Sequence, residues 1–484
     1  GLIFSRYSQN SAVLNGGGLI SKGLYYGSSL ILACVFGYYY LKNHKEGDNS
    51  FEDVEFEYIL LFSLFFLTLF TARSAVRLIM VLVPIAPIFM AYLIAETGTM
   101  SMKENDKTYK WIFAAIAIFL LAFSAYQAYS FYKEIKATSY SYVPSYYTIQ
   151  WQQAMSWVRE NTPQNAVFAH WWDYGYWVQS IGDRATVTDG GNAIVWWNYF
   201  TGRLVLTGDN QKDALDFLYN HNATHLLIDP TDIGKYGAYS QIGSNETFDR
   251  LSQGPFALVS DDRNIQETKT ETVRMYNRPS GNNQVAIFPI EEDVIYDNNG
   301  TKTYLLKENT GLIGISLNYS SSNNSILKFG QPQAIFISKD RNYITLPMRY
   351  LKYQNKFYDF GSGIESGVNV IQRVSQSQSS GGIGIDEMGA LIYLSPRVFR
   401  GMVGQLYILD DPLKRFSNFN LVYSEQNLII DSINQQGAKL NDFVYVVNDL
   451  QGPIKIWNIT YAGNEKVNPA YLEKSPPDYI TWKF

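Results

Sequence analysis

AVFAHWWDYGYWVQSIG, residues 166–182, passes from a strand pattern through an aromatic cluster into the start of a helix. AVFAH (166–170) is a short unbroken apolar run, as a strand buried on both faces requires, and YWVQSIG (176–182) resumes with helical character. The strand pattern returns in RATVTD (184–189) and HLLID (225–229), with the helix DALDFLYNH (213–221) between them. Strands alternating with helices argue for a parallel, doubly wound sheet, whose chemistry collects beyond the carboxyl ends of its strands. The WWD cluster and DPTD (229–232) both stand at such ends, so they are expected to share one crevice. Just upstream, IQWQQAMSWVREN (149–161) places Trp151, Met155 and Val158 on one helical face, after a linker at 138–147.

Working towards the amino terminus, the pattern becomes that of a membrane protein. Four apolar stretches, 19–42, 57–70, 76–95 and 110–132, approach the roughly 20 residues that a helix needs to cross a bilayer. The third holds two prolines and is expected to kink. TARSAVR (71–77) separates the second stretch from the third and forces a tight hairpin, setting Arg73 and Arg77 at one membrane face. A guanidinium there has two readings: snorkelling to headgroups, or forking onto the phosphates of a lipid-linked substrate. The loops 43–56 and 96–109 mix lysines with acids, so the charge bias that would orient the helices is weak.

Towards the carboxyl terminus, from about residue 263, strand follows strand: TVRMYNR, NQVAIFPI, TKTYLLKE, GLIGISLNY, QAIFISK, YITLPMRYLKY, FVYVVND and PIKIWNITYA. Loops of Gly, Asn and Ser between them suggest sandwich or barrel-like modules. SQSQSSGGIG (375–384) reads as a polar loop, and Arg341, Arg349, Arg397 and Arg400 are given no role beyond solvation or ion pairing. The expected fold class is therefore mixed. A helical membrane portion at 1–132 precedes an α/β central domain at 133–262 carrying WWDYG, and β-rich modules fill 263–484.

Composition excludes several function classes. A net charge of −5 offers no basic field for a nucleic-acid backbone, so that partner is not expected. One cysteine, Cys34, rules out an intrachain disulfide and a cysteine-rich metal site, and the four histidines show no metal-binding spacing. Six N-x-S/T sequons, at Asn222, Asn245, Asn299, Asn318, Asn323 and Asn458, favour an extracytoplasmic location for the soluble part. The chain opens on GLIFSRYSQN with no initiating Met, and an amino-terminal portion is expected to precede it.

What WWDYG does admits two readings from its residues. Asp173 between indoles is able to accept a hydrogen bond from a small hydroxyl, while the Trp171 and Trp172 N–H groups donate to the same oxygen, making a pocket selective for Ser or Thr. Alternatively the cluster merely packs. The sequence resembles oligosaccharyltransferase catalytic subunits of the archaeal single-subunit type, whose signature is WWDYG and which move a glycan from a lipid carrier to the Asn of N-x-S/T. In DIGKYGAYSQI, Asp232, Lys235 and Ile242 stand at the family's D-x-x-K-x6-I spacing, and AVRLIMVLVP is similar to its membrane segment bearing a phosphate-contacting arginine. LVYSEQ and IKIWNI also look like archaeal members, so the resemblance spans nearly the whole chain as its carboxyl-terminal portion.

The resemblance implies that Trp171, Trp172 and Asp173 grip the sequon hydroxyl, and that Lys235 and Ile242 border the pocket with Ile242 on the Thr methyl. Tyr174 and Gly175 would shape the turn, Gly175 by permitting a backbone that another residue cannot adopt, and Asp232 would support the motif. Arg77 would meet the phosphate or diphosphate of a dolichyl-linked glycan. His170 is read as structural. A divalent cation, Mn2+ or Mg2+, is also implied, with ligands expected upstream: GLIFSRYSQNSAVLNGGGLI contains neither Asp nor Glu, Asp183 and Asp189 are read as turn caps, and no catalytic or metal-binding residue is assigned within this chain. The expected protein is an integral membrane glycosyltransferase with its soluble domain outside an archaeal membrane, or in the endoplasmic reticulum lumen of a eukaryote. Its partners are the lipid-linked oligosaccharide, acceptor polypeptides, membrane lipid and a missing amino-terminal portion of the same enzyme. Two other readings remain: a sequon-binding portion of a split enzyme, inactive without metal-binding loops from elsewhere, and a membrane-tethered surface protein.

Overall fold

The computed structural model describes residues 19–46, 56–72, 79–141, 147–280, 284–298, 300–322, 325–376, 383–446 and 449–475. It divides into two compact units, Gly1–Val143 and Pro144–Phe484.

In the first unit all four apolar stretches are helical: α1 (Leu19–Glu46), α2 (Phe56–Ala72), α3 (Ile79–Lys103) and α4 (Lys107–Ser141). Among the described residues, only Leu82–Lys103 and Lys107–Tyr140 are long and apolar enough to cross a membrane, while Phe56–Thr68 is shorter. Helix α4 is apolar on all sides, with Ile118 and Phe119 each 67% exposed. Such a helix is stable only where something other than water covers it, and lipid does so. Thr68 and Thr97 inside these helices are satisfied locally, Thr68 Oγ1 donating to Leu64 O at 2.6 Å and Thr97 Oγ1 to Leu93 O at 2.7 Å. Helix α4 also runs through Thr138–Ser141, so the expected linker begins later than residue 138. Arg73 and Arg77 lie outside the described residues.

The second unit begins with α5 (Ile149–Asn161), capped by Thr148, whose side chain accepts from Trp151 N. As the spacing predicts, Trp151, Met155 and Val158 are buried together. Next come β1 (Val167–Ala169), α6 (Gly175–Ser180), β2 (Ala185–Thr186), α7 (Val195–Phe200), α8 (Gln211–Asn220), β3 (His225–Ile228) and α9 (Thr231–Ile242). Strand β1 pairs in parallel with β2 through Val167↔Ala185 and with β3 through Phe168↔His225. All four residues of β3 are buried, which explains its unbroken apolar sequence.

The sheet does not stop there. Strand Ile454–Ile459 lies antiparallel against β3, with Trp457 opposite Leu226, and Phe419–Glu425 completes a five-stranded sheet. PIKIWNITYA and LVYSEQ therefore belong to the sheet that positions WWDYG. A boundary at 262/263 is replaced by one compact unit, because β3 would otherwise be an edge whose unpaired backbone groups are buried.

The rest of the unit is a 13-stranded, mainly antiparallel sheet whose long strands are Thr310–Ser322, Tyr343–Tyr353, Ile364–Gln376 and Ile383–Leu394. The last two flank residues 377–382, which lie outside the described residues, so the expected loop at 375–384 begins and ends in strand. Arg397 and Arg400 lie in a helical turn, Pro396–Arg400, which is followed by a π-helix, Val403–Leu409. Arg349 pairs with Asp359 at 2.8 Å and Arg400 with Glu292 at 2.7 Å, as ion-paired surface arginines do.

Candidate functional site: the WWDYG turn and helix α9

The chain leaves β1 at His170 and Trp171 and tightens into a 3-10 turn, Trp172–Tyr174, before α6. Gly175 sits in ordinary right-handed helical conformation, φ −54°, so the expectation that the turn needs its backbone freedom is corrected. Glycine is required for a different reason. A Cβ at this position would fall 2.5 Å from Asp189 Cα and 2.8 Å from Thr188 O, where no side chain fits.

The turn faces α9, which supplies Lys235, Tyr239 and Ile242 at i, i+4 and i+7, one stripe of a helix. Lys235 Nζ meets Asp173 Oδ2 at 2.7 Å, with both side chains between a quarter and a third exposed. Trp171 packs on Tyr239 with ring centroids 5.5 Å apart, and Ile242, half-buried, lies one turn further along. Trp171 is only 2% exposed and belongs to the core, whereas Trp172 and Asp173 are half-buried and accessible. Among the described residues, Asp173 Oδ1 and the Trp172 indole N–H have no protein partner.

Behind this surface lies a buried polar network centred on Tyr174. Its hydroxyl contacts Thr231 Oγ1 at 2.7 Å, Asp232 Oδ1 at 2.9 Å and Asp229 Oδ1 at 3.3 Å, and accepts from Lys235 Nζ at 3.0 Å. The Lys235 ammonium also stands 4.4 Å from the Tyr174 ring centroid, a cation–π contact. Burial, then the Asp232 and Asp229 carboxylates, push the Tyr174 phenol well above its ordinary range, so it keeps its proton to donate. Asp229 Oδ2 accepts from Trp151 Nε1 at 3.0 Å, and its Oδ1 accepts from Thr231 N at 2.8 Å. Asp232 is fully buried and accepts from Asp229 N at 3.1 Å; burial, then the neighbouring Asp229, raises its carboxyl to about 7.

WWD and DPTD thus meet, as the strand-end argument predicts, but Asp232 holds Tyr174 from behind and does not line the opening. His170 is fully buried; its Nδ1–H donates to Trp171 O at 2.7 Å and burial lowers it to about 4, so it is neutral and structural. Sequence reasoning missed Trp151, Thr231 and Tyr239 as members of the site. Tyr239 had a signal in its position four residues after Lys235, while Trp151 contacts Asp229 across 78 positions and had none.

The described carboxylates around this turn are engaged with protein partners and do not fit a divalent cation. Asp229 and Asp232 spend their oxygens on Trp151, Thr231, Tyr174 and the Asp229 N–H, and Asp173 is paired with Lys235. Asp189 holds its turn by accepting from Gly191 N at 2.9 Å and also accepts from Gln179 Nε2 at 3.0 Å, while Asp183 accepts from the Gln164 side chain at 2.9 Å. Among the described residues, no group of three His, Cys, Asp or Glu is arranged to hold a metal ion.

No protein-family model matches the chain. Among curated proteins it is similar to dolichyl-phosphooligosaccharide-protein glycotransferase 1 of Pyrococcus furiosus, 35% identical over 98 residues, which is 20% of this chain and 10% of that protein. It is also similar to the dolichyl-diphosphooligosaccharide–protein glycosyltransferase subunit stt3 of Schizosaccharomyces pombe, 31% identical over 85 residues, 17% of this chain and 11% of that one. The matches span about a tenth of the length of either relative. A solved oligosaccharyltransferase of Archaeoglobus fulgidus in its apo form aligns at a TM-score of 0.29 and 13% identity, over 72% of this chain and 38% of that chain. The family resemblance is borne out in the relatives' names: they are oligosaccharide-to-protein transferases.

Proposed function

We propose that this chain is part of an oligosaccharyltransferase catalytic subunit, which transfers a glycan en bloc from a dolichyl phosphate or diphosphate carrier to the Asn of N-x-S/T, and that the WWDYG turn with α9 recognises the acceptor. One observation carries the reading: Asp173 is half-exposed, with one oxygen on Lys235 and the other without a protein partner, beside the accessible Trp172. A Ser or Thr hydroxyl donates to the open oxygen and accepts from an indole N–H, using both of its capacities. Lys235 holds the carboxylate in place, and Tyr174 with its buried partners holds Lys235. Ile242, on the same stripe of α9, meets the Thr methyl.

In the transfer, the Asn amide nitrogen bonds to the sugar anomeric carbon and gives up one proton, while the bond from that carbon to the phosphate oxygen breaks and the phosphate leaves with the electron pair. The described residues bind and orient the acceptor for that step. Arg77 is proposed to meet the carrier's phosphate. The divalent cation is proposed to be held by residues other than those described. Two helices of spanning length support a membrane-associated protein, and exposed sequons at Asn222, Asn245 and Asn458 support an extracytoplasmic face for the second unit.

The test is binding of a fluorescent peptide containing Asn-Ala-Thr to the full chain in detergent. Asp173→Ala should weaken it at least about tenfold, the worth of a hydrogen bond to a charged group, with an unchanged unfolding temperature. Equal binding of the peptide and a scrambled control would refute the assignment and favour a cluster that only packs.

A further inference from the structure

We propose that the cleft at the end of the π-helix Val403–Leu409 binds a neutral, hydroxyl-rich ligand about the size of one sugar ring. It has a volume of about 250 Å3, and Lys352, Asn369, Asp410, Asn441 and Asp442 are among its walls. Trp171, Trp172 and Asp173 do not line it, so it is separate from the acceptor surface.

The backbone around the cleft is unusual in two respects. A π-helix is rare, and this one ends on Asp410 at φ 62° followed by Asp411 at φ 46°, two successive non-glycine residues in the left-handed region. The Asp411 carboxylate holds that corner by accepting from Arg415 N at 2.8 Å and Phe416 N at 2.9 Å. The corner turns Asp410 towards two lysines: it meets Lys455 Nζ at 2.6 Å through one oxygen and Lys352 Nζ through the other. Lys455 is 1% exposed and also reaches Asp442 at 3.3 Å. Lys352, Asp410 and Asp442 line the cleft, and the buried Lys455 ammonium behind them balances the second carboxylate, so a free cation or anion gains little there.

The hydrogen-bonding capacity left over defines the ligand. Lys455 donates to Asp410 and to Tyr407 O, and pairs ionically with Asp442. Lys352 spends two, on Asp410 and on Ile408 O at 3.3 Å, which leaves a third. Asn441 Nδ2 is buried with no protein partner. Asn369 donates to Ile408 O at 3.4 Å, and its Oδ1, like the second oxygen of Asp442, has no protein partner among the described residues. The cleft therefore presents an unspent donor on Lys352 beside unspent acceptors on Asn369 and Asp442. Hydroxyl groups, which donate and accept at one atom, satisfy both, and a ring bearing several fits a cavity of this size.

The experiment is ligand-detected NMR on the full chain in detergent, titrated with the methyl glycosides of glucose, galactose and mannose, and with sodium sulfate as a charged competitor. At least one glycoside should bind saturably below about 50 mM. Asn441→Leu should weaken it about tenfold while leaving the unfolding temperature unchanged, since an unpartnered buried amide is replaced by an apolar group of similar shape. Asn355→Trp, at the exposed mouth, should block it without touching the interior. The proposal is overturned if no glycoside saturates, if neither variant reduces binding, or if sulfate displaces the sugar.

Discussion

Replacing Asp232 by Asn should change how the stability of the second unit depends on pH, and the size of the change follows from its burial. In an unfolded chain an aspartate ionises at about 3.8, whereas buried beside Asp229 this one holds its proton to about 7. Between those values the folded state binds a proton that the unfolded state has lost, so stability falls as pH rises. Below 3.8 both states are protonated and above 7 both are ionised, so the fall is confined to the window between them. A gap of about three pH units at ~1.36 kcal/mol each gives a loss of about 4 kcal/mol across it.

Asn cannot ionise, so the variant lacks this decline. It gives up about 1 kcal/mol at low pH, because one amide oxygen cannot serve both the Asp229 N–H and the Tyr174 hydroxyl as two carboxylate oxygens do. Asp232→Asn is therefore expected to be slightly less stable than the parent at pH 4 and about 3 kcal/mol more stable at pH 8. Tryptophan fluorescence during thermal unfolding in detergent, from pH 4 to 8.5, reads the crossing. Parallel profiles for the two proteins would show that Asp232 ionises as an ordinary aspartate and that the account of the Tyr174 network is wrong.

Three other substitutions probe the same site. Gly175→Ala should cost about 1–3 kcal/mol, because its methyl meets the Asp189 backbone at 2.5 Å; an unaltered unfolding temperature would remove the close-packing argument. Trp151→Phe preserves the ring stacked on Tyr174 but leaves the buried Asp229 Oδ2 without its donor, and should cost about 1–3 kcal/mol in chemical denaturation. Ile242→Ala should reduce the preference for Thr over Ser sequon peptides by up to about fourfold, the worth of one buried methyl at roughly 0.8 kcal/mol; a preference that persists in full would place the methyl elsewhere.

Much of this protein is local enough to be legible in its sequence. The apolar runs of 19–132 had to be helical because only a helix satisfies its own backbone away from water, and β1 and β3 announce themselves as unbroken apolar runs between turn residues. WWDYG and the spacing of Asp232, Lys235 and Ile242 are likewise short-range, so the turn and the stripe of α9 were both within reach, and so was their meeting beyond the strand ends.

Contacts between distant segments were decided by folding alone. Strand Ile454–Ile459 covers β3 because a buried edge must find a partner, and nothing within PIKIWNITYA says which edge that is. Gly175 looked like a conformational glycine until the Asp189 backbone was found against it. Trp151 reads as a core residue on a helical face; only the packed structure brings its N–H to Asp229 and so reveals that it anchors the network behind Asp173. A local pattern reports the periodicity of a segment, whereas the partner of a buried polar atom is set by which chain segments come together in space.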